Sequence, residues 1–287
     1  MKRISFLNGK FLPHEKCLIH IEDRGFQFAD GIYEVTYFKN SKLIDGVNHI
    51  NRLFRNLKEI NIDHQFSLEY LIDLQVQLFK KNKLTEGFCY LQITRGKANR
   101  QTNIPKGLTP TISATVSPPK IFTLEQFTNG IKVITHDDIR WLRCDIKSVN
   151  LIAPSLVNQK AKDQDCDDAI FIRDKVITEA TFANVFMVDE NDCLITHPAD
   201  NFILNGITRN RIIAIAKANN IKVEEKKFSL DQLLKAKEVF LTSTTFAVRP
   251  VSQINGEKLA SFNIKNSPQQ NFKIASLLSQ KYQEFMS

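Results

Sequence analysis

Arg140-Trp141-Leu142-Arg143-Cys144-Asp145-Ile146-Lys147-Ser148-Val149-Asn150 sets one lysine among two arginines, an aspartate, a tryptophan and small polar residues. Such a stretch makes a poor core strand and a good reactive one. Held in an extended run with apolar Leu142 and Ile146, Lys147 is expected to be partly desolvated, and desolvation makes an amine a better nucleophile toward a carbonyl. An amine of that kind can form a Schiff base. Taken alone, the stretch also reads as one more solvated lysine in a basic chain, because most lysines are solvated. The rest of the sequence decides between the two.

A length of 287 residues, 43% of them hydrophobic, provides a core for one large domain or two modest ones. The formal charge of +8 and the isoelectric point near 9.2 raise nucleic acid as a partner. The cations are too dispersed for that. Lys80-Lys81-Asn82-Lys83 is short, and Lys222 to Lys227 is broken by Glu224 and Glu225, so both read as solvated faces. A cationic surface still steers anionic small molecules. No apolar run approaches the roughly 18 to 20 residues of a membrane helix. The opening Met1 to Leu7 is interrupted by Asn8-Gly9-Lys10, so neither a membrane span nor a signal peptide is expected. The five cysteines are scattered and form no C-x-x-C pair, which predicts reduced thiols in a cytoplasm. The histidines His14, His20, His49, His64, His136 and His197 show no metal-ligand spacing, so no metal is expected.

Turn signals and periodicity organise the chain. Asn8-Gly9 predicts a hairpin, Ile32 to Phe38 a strand turned at Asn40-Ser41, and Leu43-Ile44 its return. Val47, Ile50, Leu53, Leu57 and Ile60 recur at helical spacing, as do Leu68, Leu71, Leu74 and Leu78. Strands are expected near Phe88 to Thr94 and Thr111 to Ser117. Ser117-Pro118-Pro119 then breaks both periods and marks a boundary between a smaller domain, 1–119, and a larger one, 120–287. In the second part strands near Ile131 to Thr135, Ala169 to Arg173, Val185 to Val188 and Val239 to Leu241 alternate with helices. Those helices are placed near Leu151 to Gln164, Arg209 to Ala218 and Phe228 to Leu234. The result is an α+β or mixed α/β architecture of two domains with its active site at their interface.

Four blocks carry a resemblance along the whole chain: Glu22 to Val35, Arg140 to Asn150, Thr178 to Phe186, and Leu204-Asn205-Gly206-Ile207-Thr208-Arg209 followed by Leu241 to Thr245. In this order and spacing the chain resembles the fold-type-IV enzymes that use pyridoxal 5'-phosphate, and among them the D-amino acid aminotransferases. The resemblance implies Schiff-base exchange on Lys147 and a homodimer with a shared active site. Its substrates are D-amino acids with a 2-oxo acid, 2-oxoglutarate or pyruvate, as acceptor. Lys147 is then both the cofactor's anchor and the proton-transfer base, and Glu179 pairs with the pyridine nitrogen. Without the resemblance, Glu179 reads as a solvated hairpin acid. Two alternatives of the same fold, a branched-chain L-amino acid aminotransferase and a 4-amino-4-deoxychorismate lyase, share these features. Gly31 to Val35 and Arg140 to Asn150 favour the D-amino acid enzyme. A basic binding protein that has lost catalysis predicts a broken lysine, acid or phosphate cup, and none is broken.

For the phosphate, Gly206-Ile207-Thr208 precedes a helical pattern with Thr208 as its expected N-cap, and a helix N-terminus suits a dianion. Ser243 and Thr244 supply hydroxyls, as does Thr245, and Arg52 a charge-assisted bond. His49, one turn before Arg52, is placed to support it. On the substrate side the resemblance implies that Tyr33 and Arg100, the arginine from the neighbouring subunit, hold the carboxylate. A histidine two residues later is usual in that family, and Thr102 stands there instead. Phe182 and Phe246 replace small polar residues, and Arg249 replaces a neutral one, which predicts a narrower pocket with a cation near it. Trp141 is placed either near the cofactor or in the core.

Overall fold

Asn8, Gly9, Asn40 and Ser41 all have positive φ, at 45°, 84°, 49° and 63°, so each pair reverses the chain in two residues with the twist that antiparallel strands require. The first turn joins β1 (Ile4–Leu7) to β2 (Lys10–Pro13), and the second joins β3 (Gly31–Lys39) to β4 (Lys42–Ile44). The computed structural model describes residues 3–119, 124–260, 262–263 and 265–287. The chain divides into two units, Met1–Lys120 with Ile146–Leu151, and Ile121–Asp145 with Ile152–Ser287.

In the first unit a short helix, α1 (Arg24–Phe28), is capped by the Asp23 side chain and stopped at Ala29, whose φ is 54°. After β4 come α2 (Gly46–Glu59), α3 (Leu68–Asn82), β5 (Glu86–Thr94) and β6 (Thr111–Ser117). The six strands form one antiparallel sheet in the order β2-β1-β6-β5-β3-β4. Ile50, Leu53 and Leu57 of α2 meet Leu71, Leu74 and Leu78 of α3 in its core, the two apolar stripes that the spacing predicts.

The segment around Lys147 differs from the extended strand expected of it. Cys144 and Asp145 turn, and Ser148 makes a single bridge to Ile32. Tyr33 N donates to the Lys147 carbonyl at 3.0 Å and Val149 N to the Gly31 carbonyl at 3.1 Å. Ile146 joins the first unit's core, whereas Leu142 is exposed. The chain beyond Pro119 therefore returns to the first unit over Ile146–Leu151, which the division at residue 119 did not anticipate. Trp141 is 42% exposed and so lies outside the core.

The second unit runs α4 (Leu124–Asn129), β7 (Ile131–Asp137), α5 (Ile152–Lys162), β8 (Asp168–Arg173), β9 (Val176–Ala180), β10 (Asn184–Val188) and β11 (Leu194–Thr196). It continues with α6 (Ile207–Ala218), β12 (Val223–Glu225), α7 (Leu230–Leu234), β13 (Glu238–Ser243), β14 (Ala247–Ile254), β15 (Glu257–Lys258), α8 (Pro268–Asn271) and α9 (Lys273–Met286). The sheet follows β12-β11-β10-β13-β14-β7-β8-β9, with β15 on β14, and β9 pairs again with β10. That last pairing closes a circuit of six strands, and its only register pair is Glu179 opposite Asn184. Ile170, Val185, Leu241 and Val251 fill the core. Ile274, Leu278 and Tyr282 bury one side of α9, a helix absent from the sequence reading although the spacing was there to see. Among the described residues no helix is long and apolar enough to cross a membrane.

Candidate active site

Glu34 lies in the middle of an apolar strand and is fully buried, so its carboxylate must be paired. Its partners come from α2, where a spacing of three puts His49 and Arg52 on one face. Arg52 donates through Nε to Oε1 at 2.7 Å and through Nη2 to Oε2 at 2.9 Å, and His49 Nδ1 lies 2.8 Å from Oε2. Burial pushes the Glu34 carboxyl up, but the charge of Arg52 and the bond and charge of His49 outweigh it and hold the group well below the usual carboxylate range. His49 is held low, chiefly by burial against the pull of Glu34, and also by the charges of Arg52 and Lys147. It is therefore neutral at pH 7 and donates its Nδ1 proton to Glu34.

Beside this cluster the Lys147 amine stands 4.3 Å from the centroid of the Tyr33 ring, which stacks on Tyr90 at 5.3 Å. Among the described residues no carboxylate or hydrogen-bond acceptor takes up the Lys147 Nζ. A half-buried amine without an acid partner remains available to react. Tyr33, Lys147, His49 and Arg52 are thus brought together in the first unit. Arg100 and Thr102 are exposed on the loop of residues 95–110 between β5 and β6.

In the second unit Glu179, on β9, is buried and accepts three donors. Arg140 Nη1 binds Oε1, while Asn184 Nδ2 and the Leu204 amide bind Oε2 at 3.1 and 3.0 Å. The solvated hairpin acid is thereby excluded. Arg140 is itself braced, with Nε and Nη2 each 2.8 Å from the Asp138 carboxylate, which also receives Arg173 at 3.1 Å. Burial raises the Glu179 carboxyl against the pull of Arg140, and burial disfavours the Arg140 charge while Glu179 and Asp138 more than restore it. Two hydrogen bonds besides the ion pair, from Asn184 and Leu204, favour the ionised carboxylate.

Asn184 links Glu179 to the rest of this region. It lies opposite Glu179 on one side and Thr242 of β13 on the other, and its Nδ2 also reaches the Leu204 carbonyl at 2.8 Å. A Cβ on Gly206 would fall 2.1 Å from Asn184 Oδ1, so only glycine fits there. Gly206, not Thr208, is the N-cap of α6, and it provides no side-chain cap; Thr208 is buried as the second helical residue. The first-turn amides near Ile207 and Thr208 are therefore left to an outside acceptor. Ser243, Thr244 and Thr245 follow Thr242, whose buried hydroxyl lacks a partner among the described residues. Uncapped amides, hydroxyls and a glycine cradle fit a phosphate group.

Arg249 Nη2 donates to Asp167 at 3.2 Å. Phe182 is 47% exposed, while Phe246 packs against the second unit's core. Sequence reasoning left Glu34, Asp138 and Asn184 without roles. An acid in the apolar run Ile32 to Phe38 was the available signal for Glu34.

The sequence pattern of the family described as "Amino-transferase class IV" matches residues 31–254. The chain is similar to the D-alanine aminotransferase of Bacillus licheniformis, 43% identical over 254 residues that cover 88% of this chain and 89% of that one. Among solved structures it is similar to the Escherichia coli branched-chain amino acid aminotransferase, with TM-score 0.90 at 21% identity over 100% of this chain and 95% of that one. It is also similar to the T.th. branched-chain amino acid aminotransferase with pyridoxamine 5'-phosphate, with TM-score 0.87 at 19% identity over 98% and 94% of the two chains. At such identities the structures show the fold, here the two-domain fold of type IV. The chain belongs to the class IV aminotransferases.

Proposed function

We propose that this enzyme transaminates D-amino acids, D-alanine among them, with 2-oxoglutarate or pyruvate as acceptor. The sequence relationship to the D-alanine aminotransferase over most of both chains carries the substrate class, and the branched-chain alternative rests on fold likeness alone. The cofactor of this family is pyridoxal 5'-phosphate, which supplies an electron sink for negative charge developing at the substrate α-carbon.

The residues divide the work. Lys147 would hold the cofactor covalently, and its Nζ, when free, would take the proton from the substrate α-carbon. Glu179, paired with Arg140, would sit at the ring nitrogen and favour its protonated form. Arg52, the amides of Ile207 and Thr208, and the hydroxyls of Ser243 and Thr244 would hold the phosphate. Tyr33 and Arg100 bind the substrate carboxylate, with Thr102 offering one further hydrogen bond. Arg100 is supplied by the partner in a homodimer, which accords with its exposure on the loop of residues 95–110. Five free cysteines accord with a cytoplasmic location.

The test is a panel of D- and L-amino acids with each acceptor, followed by keto acid production. Turnover of D-alanine, with little or none of L-leucine, L-isoleucine and L-valine, is expected. Turnover confined to the branched-chain L-amino acids would overturn the reading.

A further inference from the structure

The loop that carries Arg100 holds one isolated bridge, Lys97 to Asp23, and is tied at several further points to the segment containing α1. Arg24 N donates to the Gly96 carbonyl at 2.9 Å, Ala98 N to the Glu22 carbonyl at 3.2 Å, and Arg24 Nη1 to the Gln101 carbonyl at 2.8 Å. Arg24 is only 4% exposed and is fixed in turn. Its Nε donates to Asp30 Oδ2 at 2.7 Å, and Arg95 binds the same carboxylate at 2.7 and 2.9 Å while its remaining donors reach the carbonyls of Ile60 and Asn61. One buried guanidinium therefore grips the loop beside Arg100.

The ring of Phe28 lies at the same place. The Cζ of Arg24 is 4.5 Å and that of Arg100 is 4.7 Å from its centroid. Among the described residues no hydrogen bond or ion pair occupies the Arg100 guanidinium. Its charge rests over the aromatic ring, and its donors remain open for a carboxylate. A long exposed side chain otherwise samples many rotamers, and binding a substrate would have to freeze them. A ring beneath the guanidinium reduces that cost before the substrate arrives.

We infer that Phe28 and Arg24 are positioning residues for substrate binding, preorganising Arg100 in a chain that has Thr102 where a second cation is usual. The inference rests on the proposed role of Arg100 as the carboxylate ligand. It concerns KM for every amino acid alike, because the carboxylate is common to all, and leaves kcat largely untouched because neither residue reaches the reacting atoms.

Phe28→Leu, Phe28→Tyr, Arg24→Lys and Arg100→Ala are compared by steady-state kinetics on several amino acids, each variant being checked by thermal melting. Phe28→Leu should raise KM roughly three- to thirty-fold, the range expected for losing a cation–π contact, with kcat close to that of the unmodified enzyme. Phe28→Tyr should restore it, and Arg24→Lys, which keeps the charge but loses the forked grip, should raise KM as well. In the double variant, Phe28→Leu should add nothing once Arg100→Ala is present. Additive effects, or an unchanged KM in Phe28→Leu while Arg100→Ala raises it, would overturn the positioning role and leave Arg100 as the ligand. An unchanged KM in Arg100→Ala would instead remove the reading on which the inference rests.

Discussion

Glu179 and Arg140 form a buried ion pair at the one place where β9 meets β10 and the six-stranded circuit closes. Closure of the sheet and orientation of the carboxylate are thus the same event. If Glu179 acts on charge that develops during reaction, as proposed, Glu179→Gln should lower kcat by roughly 10²- to 10³-fold, the scale of losing one aligned electrostatic partner. Cofactor affinity should change far less. Stopped-flow turnover beside a cofactor titration separates the two, and a matching loss of affinity with intact kcat would show the residue to be only structural.

Lys147 presents its amine to the Tyr33 ring, and among the described residues no acid neutralises it. Purified protein should be yellow, and borohydride reduction followed by peptide mapping should place the adduct on Lys147. Lys147→Ala should lose at least the roughly 10²- to 10⁴-fold associated with a positioned acid–base group, while its phosphate contacts still retain the cofactor. An adduct on another lysine contradicts the assignment.

Local signals in the sequence were faithful where the cause of structure is local. Asn8-Gly9 and Asn40-Ser41 turn as read, and the stripes of α2 and α3 bury Ile50, Leu53, Leu57, Leu71, Leu74 and Leu78 as expected, while Val47 at the start of α2 stays exposed. What escaped reading depends on partners far away in sequence. The Lys147 segment is irregular because it is docked to Gly31, Ile32 and Tyr33 through single bonds rather than through a ladder. Thr208 fails as a cap because Gly206 must pass close to Asn184. Lys147 and Glu179 were legible as reactive types, but Arg140 and Asp138 beside Glu179, and Glu34 beside Arg52, emerge only from the fold.

Stability should depend on pH through Glu34 and His49. A carboxyl held below its unfolded value contributes stability that is present above that value and is lost as pH falls toward the folded one. A histidine held low by burial likewise loses stability as pH drops below its unfolded value, near 6.5. Acid should therefore lower the melting temperature first below about pH 6.5 and further below about pH 4. Glu34→Gln, which leaves Arg52 without its buried partner, should cost about 3 kcal/mol at pH 7, and the gap from the unmodified protein should narrow at pH 4. A gap that stays constant across melts from pH 8 to pH 4 would dismiss the ionised pair.

Thr102→His introduces a second cation on the loop that carries Arg100. KM for amino acids should fall when the imidazole is charged, below about pH 6.5, and return toward the starting value at pH 8. Arg249→Ala should lower the melting temperature and leave KM unmoved, because Arg249 is engaged with Asp167. A rise in KM for that variant would restore Arg249 as a carboxylate ligand.

Gly206→Ala separates the phosphate cradle from the chemistry. The new methyl would meet Asn184 Oδ1 at 2.1 Å, and Asn184 can yield only by breaking its bonds to Glu179 and the Leu204 carbonyl. Overpacking of this kind costs roughly 1 to 3 kcal/mol, and here it falls on the residue that links the start of α6 to Glu179. Inorganic phosphate should protect the unmodified apoprotein against thermal unfolding by mass action, since it binds the folded state only. In Gly206→Ala that protection should weaken. Equal protection in Gly206→Ala and the unmodified protein would place the phosphate elsewhere than at the Gly206 end of α6.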